Sequence, residues 1–266
     1  MKLPLIGLGT WELNGAECTE VVRMALEFGY RHIDTAHAYH NHAAIKKGIA
    51  GFDRAELYLT SKLSIEDQVH LNDVEGSVRA ACEQTLTELG VEYLDLYLIH
   101  WPRAGFDLNQ IFTAMGKLAL EGKVRQVGVC NYTVNHLRDL LKTGAQPVVN
   151  QVEFHPYLHQ KELLDFCHIN QIQLVSFRPF GKGKLLSIEP LFQQIGDCHG
   201  KTGAQVILKW LVQKNIPVIP KASSRKHLEE NIQIFDFTLS DVEMAQLDQL
   251  DRGKRFCKAD SPEYNY

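Results

Sequence analysis

The stretch Leu94-Asp95-Leu96-Tyr97-Leu98-Ile99-His100 is almost continuously apolar and ends on an imidazole. A run of this length with no polar face reads as a strand buried on both sides, the pattern of a parallel sheet covered by helices. Working outward, the same pattern recurs at Leu5–Leu8, His32–Thr35 and Leu57–Lys62, then at Val124–Cys130, Val148–Phe154, Gln173–Phe177 and Ile216–Pro220. Helix-length amphipathic stretches lie between the runs. In Val74–Leu89 the apolar residues fall at 74, 78, 81, 82, 86 and 89, close to the helical period. Asn72 or Asp73 can cap that helix, and Gly90 stands just past its end. Asp107–Leu120 and Thr133–Leu141 stop shortly before Gly122 and Gly144, and Thr202–Val212 and Arg225–Phe235 supply two late helices. Ser240-x-x-Glu243 forms a capping box for a last helix reaching Leu250.

Eight such strands alternating with helices, with no Gly/Ser-rich linker and no shift in composition, favour one closed α/β barrel, a (β/α)8 TIM barrel, as a single domain over 1–266. An open nucleotide-binding sheet would carry G-x-G-x-x-G after its first strand; Gly7-Leu8-Gly9 does not continue to a third glycine at that offset. The 266 residues, 45% hydrophobic and 23% charged, are ordinary for a globular protein with a substantial core. A net charge of -4, from 28 basic and 32 acidic residues, argues against a nucleic-acid footprint. No apolar run approaches the roughly 18 residues of a membrane span, and Met1-Lys2-Leu3-Pro4 leaves no room for a signal peptide before the first strand. Six cysteines without C-x-x-C spacing read as thiols of a reducing compartment, so the expected location is cytoplasmic.

Four proton-relaying residues sit where runs end or just beyond: Asp34, Tyr39, Lys62 and His100. In a parallel barrel all C-terminal strand ends share one face, and a charged residue there reads as catalytic. A free phenol, with a pKa of about 10, is a reluctant acid at neutral pH. An ammonium about 4 Å away, at an effective dielectric of about 20, contributes roughly 4 kcal/mol, or about three pKa units before desolvation opposes it. Lys62 is therefore expected to bring Tyr39 toward neutrality as the general acid, with Asp34 holding Lys62 charged. His100 can hydrogen-bond a substrate carbonyl. A buried Asp–Lys ion pair beside a packing aromatic would use the same residue types.

At these residues the sequence resembles an aldo-keto reductase. Ile33-Asp34-Thr35-Ala36 with Tyr39, Ser61-Lys62, and Ile99-His100-Trp101-Pro102 match that family's active-site tetrad in order. Gly7-Leu8-Gly9-Thr10-Trp11, Gly128-Val129-Cys130-Asn131, Asn150-Gln151-Val152-Glu153-Phe154-His155-Pro156, Val218-Ile219-Pro220-Lys221 and Glu230-Asn231 match further. Length and C-terminal style are similar to the short bacterial members that reduce 2,5-diketo-gluconate and methylglyoxal. The resemblance implies NADPH-dependent reduction of small aldehydes or ketones, such as dicarbonyls, keto-sugars or keto-sugar acids. It implies a substrate pocket of Trp11, Tyr39, His100 and Trp101. The implied cofactor site uses Gly9, Thr10, Asp34, Cys130, Asn131 and Gln151, then Phe177, Arg178, Phe180 and Gly181. Lys221, Ser223, Ser224, His227, Glu230 and Asn231 are implied around the adenosine 2′-phosphate.

Departures from the family pattern carry information. Cys130 replaces a serine, Phe177 a tyrosine and Arg178 a serine, and His42 stands where a glutamate often follows the asparagine. His227 stands in place of an arginine; a mostly neutral imidazole cannot make the bidentate phosphate contact, so NADH should be tolerated beside NADPH. The loop Phe177–Lys184, with Gly181-Lys182-Gly183-Lys184, can approach a pyrophosphate or be a solvated turn. Arg252, Lys254, Arg255 and Lys258 in the tail can steer anionic carbonyls or form a solvated basic tail. The reading is a monomeric, metal-free reductase of a small-molecule carbonyl, with no nucleic-acid or membrane partner. Two rivals stay open: a metal-dependent barrel hydrolase using His37, His40, His42, His100 and His155, and a slow-turnover NADPH-binding sensor or scaffold.

Overall fold

The structure is a computed structural model that describes residues 2–257. Among these residues seven parallel strands pair in chain order: β1 (Leu8–Gly9), β2 (His32–Asp34), β3 (Tyr58–Leu63), β4 (Leu94–Ile99), β5 (Val124–Cys130), β6 (Val149–Glu153) and β7 (Gln173–Phe177). Every residue of β2, β3, β4 and β6 is buried, which is why their sequences show no alternation. Alternate side chains still separate the two faces: Leu96 and Leu98 join Tyr58, Cys130, Val149 and Val175 in a small inner cluster. Tyr97 and Ile99 face the large cluster shared with the helices.

The expected eighth strand, Ile216–Pro220, is not a continuous strand. It closes the ring through an isolated bridge on each side: Ser176 N–H donates to Pro217 O (2.8 Å) and Ile219 N–H to Ser176 O (3.1 Å). On the other side, Val218 N–H donates to Leu5 O (2.9 Å) and Gly7 N–H to Val218 O (2.9 Å). The physical reason is in the sequence: Pro217 and Pro220 have no N–H to extend a ladder. The first strand is likewise shifted, from Leu5–Leu8 to Leu8–Gly9, while Ile6 bridges Val218. The fold remains the expected barrel, seven strands and a bridging segment ringed by helices.

Helix ends follow their chemistry. Asp73, not Asn72, caps Val74–Leu89, its carboxylate accepting from Gly76 N–H at 2.9 Å. Gly90 ends that helix at φ +67, a left-handed conformation that costs a glycine little. The capping box of Ser240 and Glu243 is present, although its helix stops at Asp248. Helices at Gly15–Glu27, Lys161–Ile169 and Leu191–His199 complete the outer layer.

Candidate active site

The parallel register carries the strand ends to one face: Asp34 pairs with Thr60, Lys62 with Leu98, and Cys130 with Gln151. Lys62 and Asp34 are each 1% exposed. Two buried charges are tolerable only when paired and hydrogen-bonded, and here they are. Lys62 Nζ donates to Asp34 Oδ1 (2.5 Å), to the Thr35 carbonyl (2.8 Å) and, more weakly, to the Tyr39 hydroxyl (3.5 Å). The second Asp34 oxygen accepts from Gln151 Nε2 at 2.7 Å. Tyr39 arrives on a single turn, His37–Tyr39, ended by His40 at φ +52. Its ring meets the His100 ring edge-on at 5.7 Å, and His100 leaves β4 with its N–H donating to Leu63 O (3.0 Å). A phenol and an imidazole thus stand side by side above a buried ammonium.

The balance of charges corrects one expectation. Burial pushes the Tyr39 phenol up to about 12, the Lys62 ammonium pulling it down only in part. Burial also pulls the Lys62 ammonium down, yet Asp34 and Tyr39 together leave it above its ordinary value, so it is a cation at every working pH. Lys62 therefore opposes the effect of burial on this half-buried phenol, as expected, and burial outweighs it. The Cys130 thiol is held far above its usual range by burial and is a thiol, not a thiolate; its sulfur accepts from Asn131 Nδ2 at 3.1 Å.

A cavity of about 1200 Å³ opens over this cluster. Asp34, Tyr39, His100, Trp11 and Trp101 line one end; Lys62 lies beneath, outside the lining. Gly9, Thr10, Cys130, Asn131 and Gln151 form the floor, and Phe177, Arg178 and Phe180 one wall. Lys221, His227, Glu230 and Asn231 line the far end. Three expected cofactor residues are not in the lining. Gly181, at φ +54, faces the Phe256 ring; Ser224 is occupied as a helix cap, its Oγ accepting from His227 N–H at 3.2 Å; Ser223 is exposed nearby. Lys182 lines the cavity and stacks with Arg178 on Trp11, 4.5 and 4.6 Å from the ring centre, whereas Lys184 does not line it.

The donor set suits a nicotinamide dinucleotide. Asn131 and Gln151 carry the amides that a carboxamide would meet, Phe177 offers a flat π-face, and cations gather at the opposite end for phosphates. The histidines do not converge. His42 is buried between Glu88 (2.8 Å) and Ser61 (3.2 Å), His155 lies against Glu153, and His37 faces His40 at 5.8 Å. Among the described residues no three His, Cys, Asp or Glu side chains gather as a metal-ligand set. The hydrolase reading lacks its ligands.

Several lining residues were not singled out from sequence: Glu12, Ile65, Glu66, Asp67 and Arg103 at the substrate end, Lys226 at the other. Arg103 and Glu66 are ion-paired at 2.8 Å. Phe256 and Cys257 also line the cavity, and only their place in a charged tail hinted at it. In that tail Arg252 is engaged by Glu189 (3.2 Å) and the Tyr157 ring, and Arg255 by Gln160 (2.9 Å); Lys258 lies outside the described residues. No helix among the described residues is long and apolar enough to cross a membrane.

A parallel barrel with an acid–base cluster under a dinucleotide-sized cleft defines an oxidoreductase. The chain belongs to the aldo/keto reductase family, whose profile matches residues 5–252, and so reduces small carbonyl compounds with a nicotinamide cofactor. It is 44% identical over 260 residues to glyoxal reductase of Bacillus subtilis (strain 168), covering 96% of this chain and 91% of that protein. It is 36% identical over 258 residues to methylglyoxal reductase DkgA of Escherichia coli (strain K12), covering 95% and 91%. Among solved structures, a putative 2,5-diketo-D-gluconic acid reductase B superposes with a TM-score of 0.89 at 34% identity, covering 95% of this chain and 90% of that one.

Proposed function

We propose that the chain reduces small dicarbonyls and related aldehydes and ketones with NADPH, Tyr39 giving the proton. The observation that carries this reading is the Lys62 ammonium shared between Asp34 and the Tyr39 hydroxyl beneath the cavity. A carbonyl oxygen beside Tyr39 and His100 would receive a hydrogen bond from the imidazole and the proton from the phenol. The phenolate left behind lies next to a cation that stays charged, and Asp34 keeps that cation aimed. Bound NADPH supplies the hydride; Asn131, Gln151 and Phe177 would hold its nicotinamide, and Lys221 with His227 its 2′-phosphate. The names of the glyoxal and methylglyoxal reductases to which the chain is similar support a dicarbonyl substrate. Lys221 and Lys226 favour NADPH, while the imidazole of His227 leaves NADH tolerated. We assign the whole of 1–266 to one barrel domain, acting as a monomer in the cytoplasm.

The test is oxidation of NADPH and of NADH by purified protein with methylglyoxal, glyoxal and a neutral aromatic aldehyde. Turnover of a dicarbonyl at least several-fold faster with NADPH is the expected result. No carbonyl-dependent oxidation of either cofactor would remove the assignment.

A further inference from the structure

Glu153 ends β6 with no exposed surface, and the reaction scheme above makes no use of it. A carboxylate so placed must be met by donors, and two of its three come from the C-terminal tail. Oε1 accepts from Phe256 N–H at 2.7 Å and Oε2 from Cys257 N–H at 3.0 Å, with His155 Nε2 3.2 Å from Oε1. Phe256 then reaches the loop after β7. Its carbonyl accepts from Arg178 Nη1 at 3.3 Å, and a Cβ on Gly181 would lie 2.7 Å from two of its ring carbons. Phe256 and Cys257 both face the cavity.

The earlier part of the tail has other anchors: Arg252 and Lys254 N–H groups donate to Tyr157 O (3.2 and 2.9 Å), and Asp251 accepts from His159 N–H (3.3 Å). These would persist without the buried carboxylate. We propose that Glu153 is a positioning residue. It fixes Phe256 and Cys257 as a wall of the cavity and, through Phe256, holds the loop 178–184 against a bound dinucleotide. The inference rests on the reading that this cavity takes NADPH.

Glu153→Gln is nearly isosteric but offers a single acceptor oxygen and turns an NH2 group toward one of the two N–H donors. NADPH affinity, read by quenching of tryptophan fluorescence, should fall about fivefold or more, with a matching rise in the dissociation rate. The single-turnover rate of prebound NADPH should stay within about twofold, since no reacting atom is touched. Phe256→Ala should weaken NADPH similarly. Because Glu153 reaches the loop 178–184 through the seating of the Phe256 ring, which Phe256→Ala removes, Glu153→Gln should add less than about twofold in the Phe256→Ala background. Unchanged affinity in Glu153→Gln, or fully independent effects in the double variant, would overturn the proposal. If Glu153→Gln fails to fold, Phe256→Ala decides alone, and wild-type affinity there overturns it. Wild-type protein that does not bind NADPH at all refutes the cofactor reading and this inference with it; binding that ignores both variants refutes only this inference.

Discussion

Lys62 Nζ has three hydrogens, and the structure gives it three oxygens: Asp34, the Thr35 carbonyl and the Tyr39 hydroxyl. That arrangement fixes what each substitution should do. Removing the proton donor with Tyr39→Phe should lower carbonyl reduction by about 10²–10⁴-fold while dinucleotide binding persists. Lys62→Met alone would strand Asp34 as an uncompensated buried charge, so the informative variant pairs it with Asp34→Asn. With both charges gone the phenol loses the larger lowering by Lys62 and the smaller raising by Asp34, so its pKa moves up. Alcohol oxidation needs the phenolate, so the ascending limb of its kcat/KM profile should move to higher pH. A profile superimposable on wild type would show that Lys62 does not act on Tyr39. Both residues were legible in sequence because each follows a buried apolar run; that burial would outweigh the lysine was not, since depth in the barrel depends on the residues packed above.

At the scale of elements, β2 carries a titratable residue that ties it to its neighbours. His32 is 1% exposed, its Nε2 lies 3.0 Å from Thr60 Oγ1 on β3, and a Cβ on Gly7 would lie 2.5 Å from its Nδ1. Burial lowers its pKa to about 4, with Asp34 raising it and Lys62 lowering it by smaller amounts. In the unfolded chain it takes a proton near pH 6.5. Between those values the unfolded state binds more protons, so stability rises with pH there. The contribution is full above pH 6.5 and is lost as pH falls toward 4, up to about 3 kcal/mol. Denaturant unfolding of wild type and His32→Gln at pH 7 and 4.5 checks it: the wild type should lose more stability than the variant, and equal losses would exclude His32 as the source. Strands β2 to β7 and the caps at Asp73 and Ser240 were legible because uninterrupted apolar runs report two-sided burial and side-chain oxygens report unmet N–H groups. The last strand misled for a definite reason. Ile216–Pro220 is buried like a strand, yet hydrophobicity does not register the two missing donors at Pro217 and Pro220.

Across the whole molecule the cavity runs from Trp101 at one end to Lys221 and Asn231 at the other, so residues far apart in sequence answer to one ligand. Strand-end residues were readable because a parallel barrel must bring them together. The tail's seat on Glu153 was not, since no local pattern tells a buried glutamate which backbone amides will meet it. The far end invites the most direct test of cofactor choice. Lys221 and His227 are both exposed and line the cavity, while Lys226 is within 3.7 Å of Glu230. A 2′-phosphate there would meet Lys221 as a point charge and His227 as a ring that lacks the planar fork of donors an arginine presents. Lys221→Ala should therefore weaken NADPH about tenfold and leave NADH within about twofold, the difference being one charge-assisted contact. His227→Arg supplies a planar fork at the same place and should move the NADPH/NADH affinity ratio the opposite way. Titrating each variant with both cofactors at fixed ionic strength separates the two effects. A ratio that neither substitution moves would place the phosphate at some other cation along the cavity, and Arg178 and Lys182, already stacked on Trp11, would be the next to change.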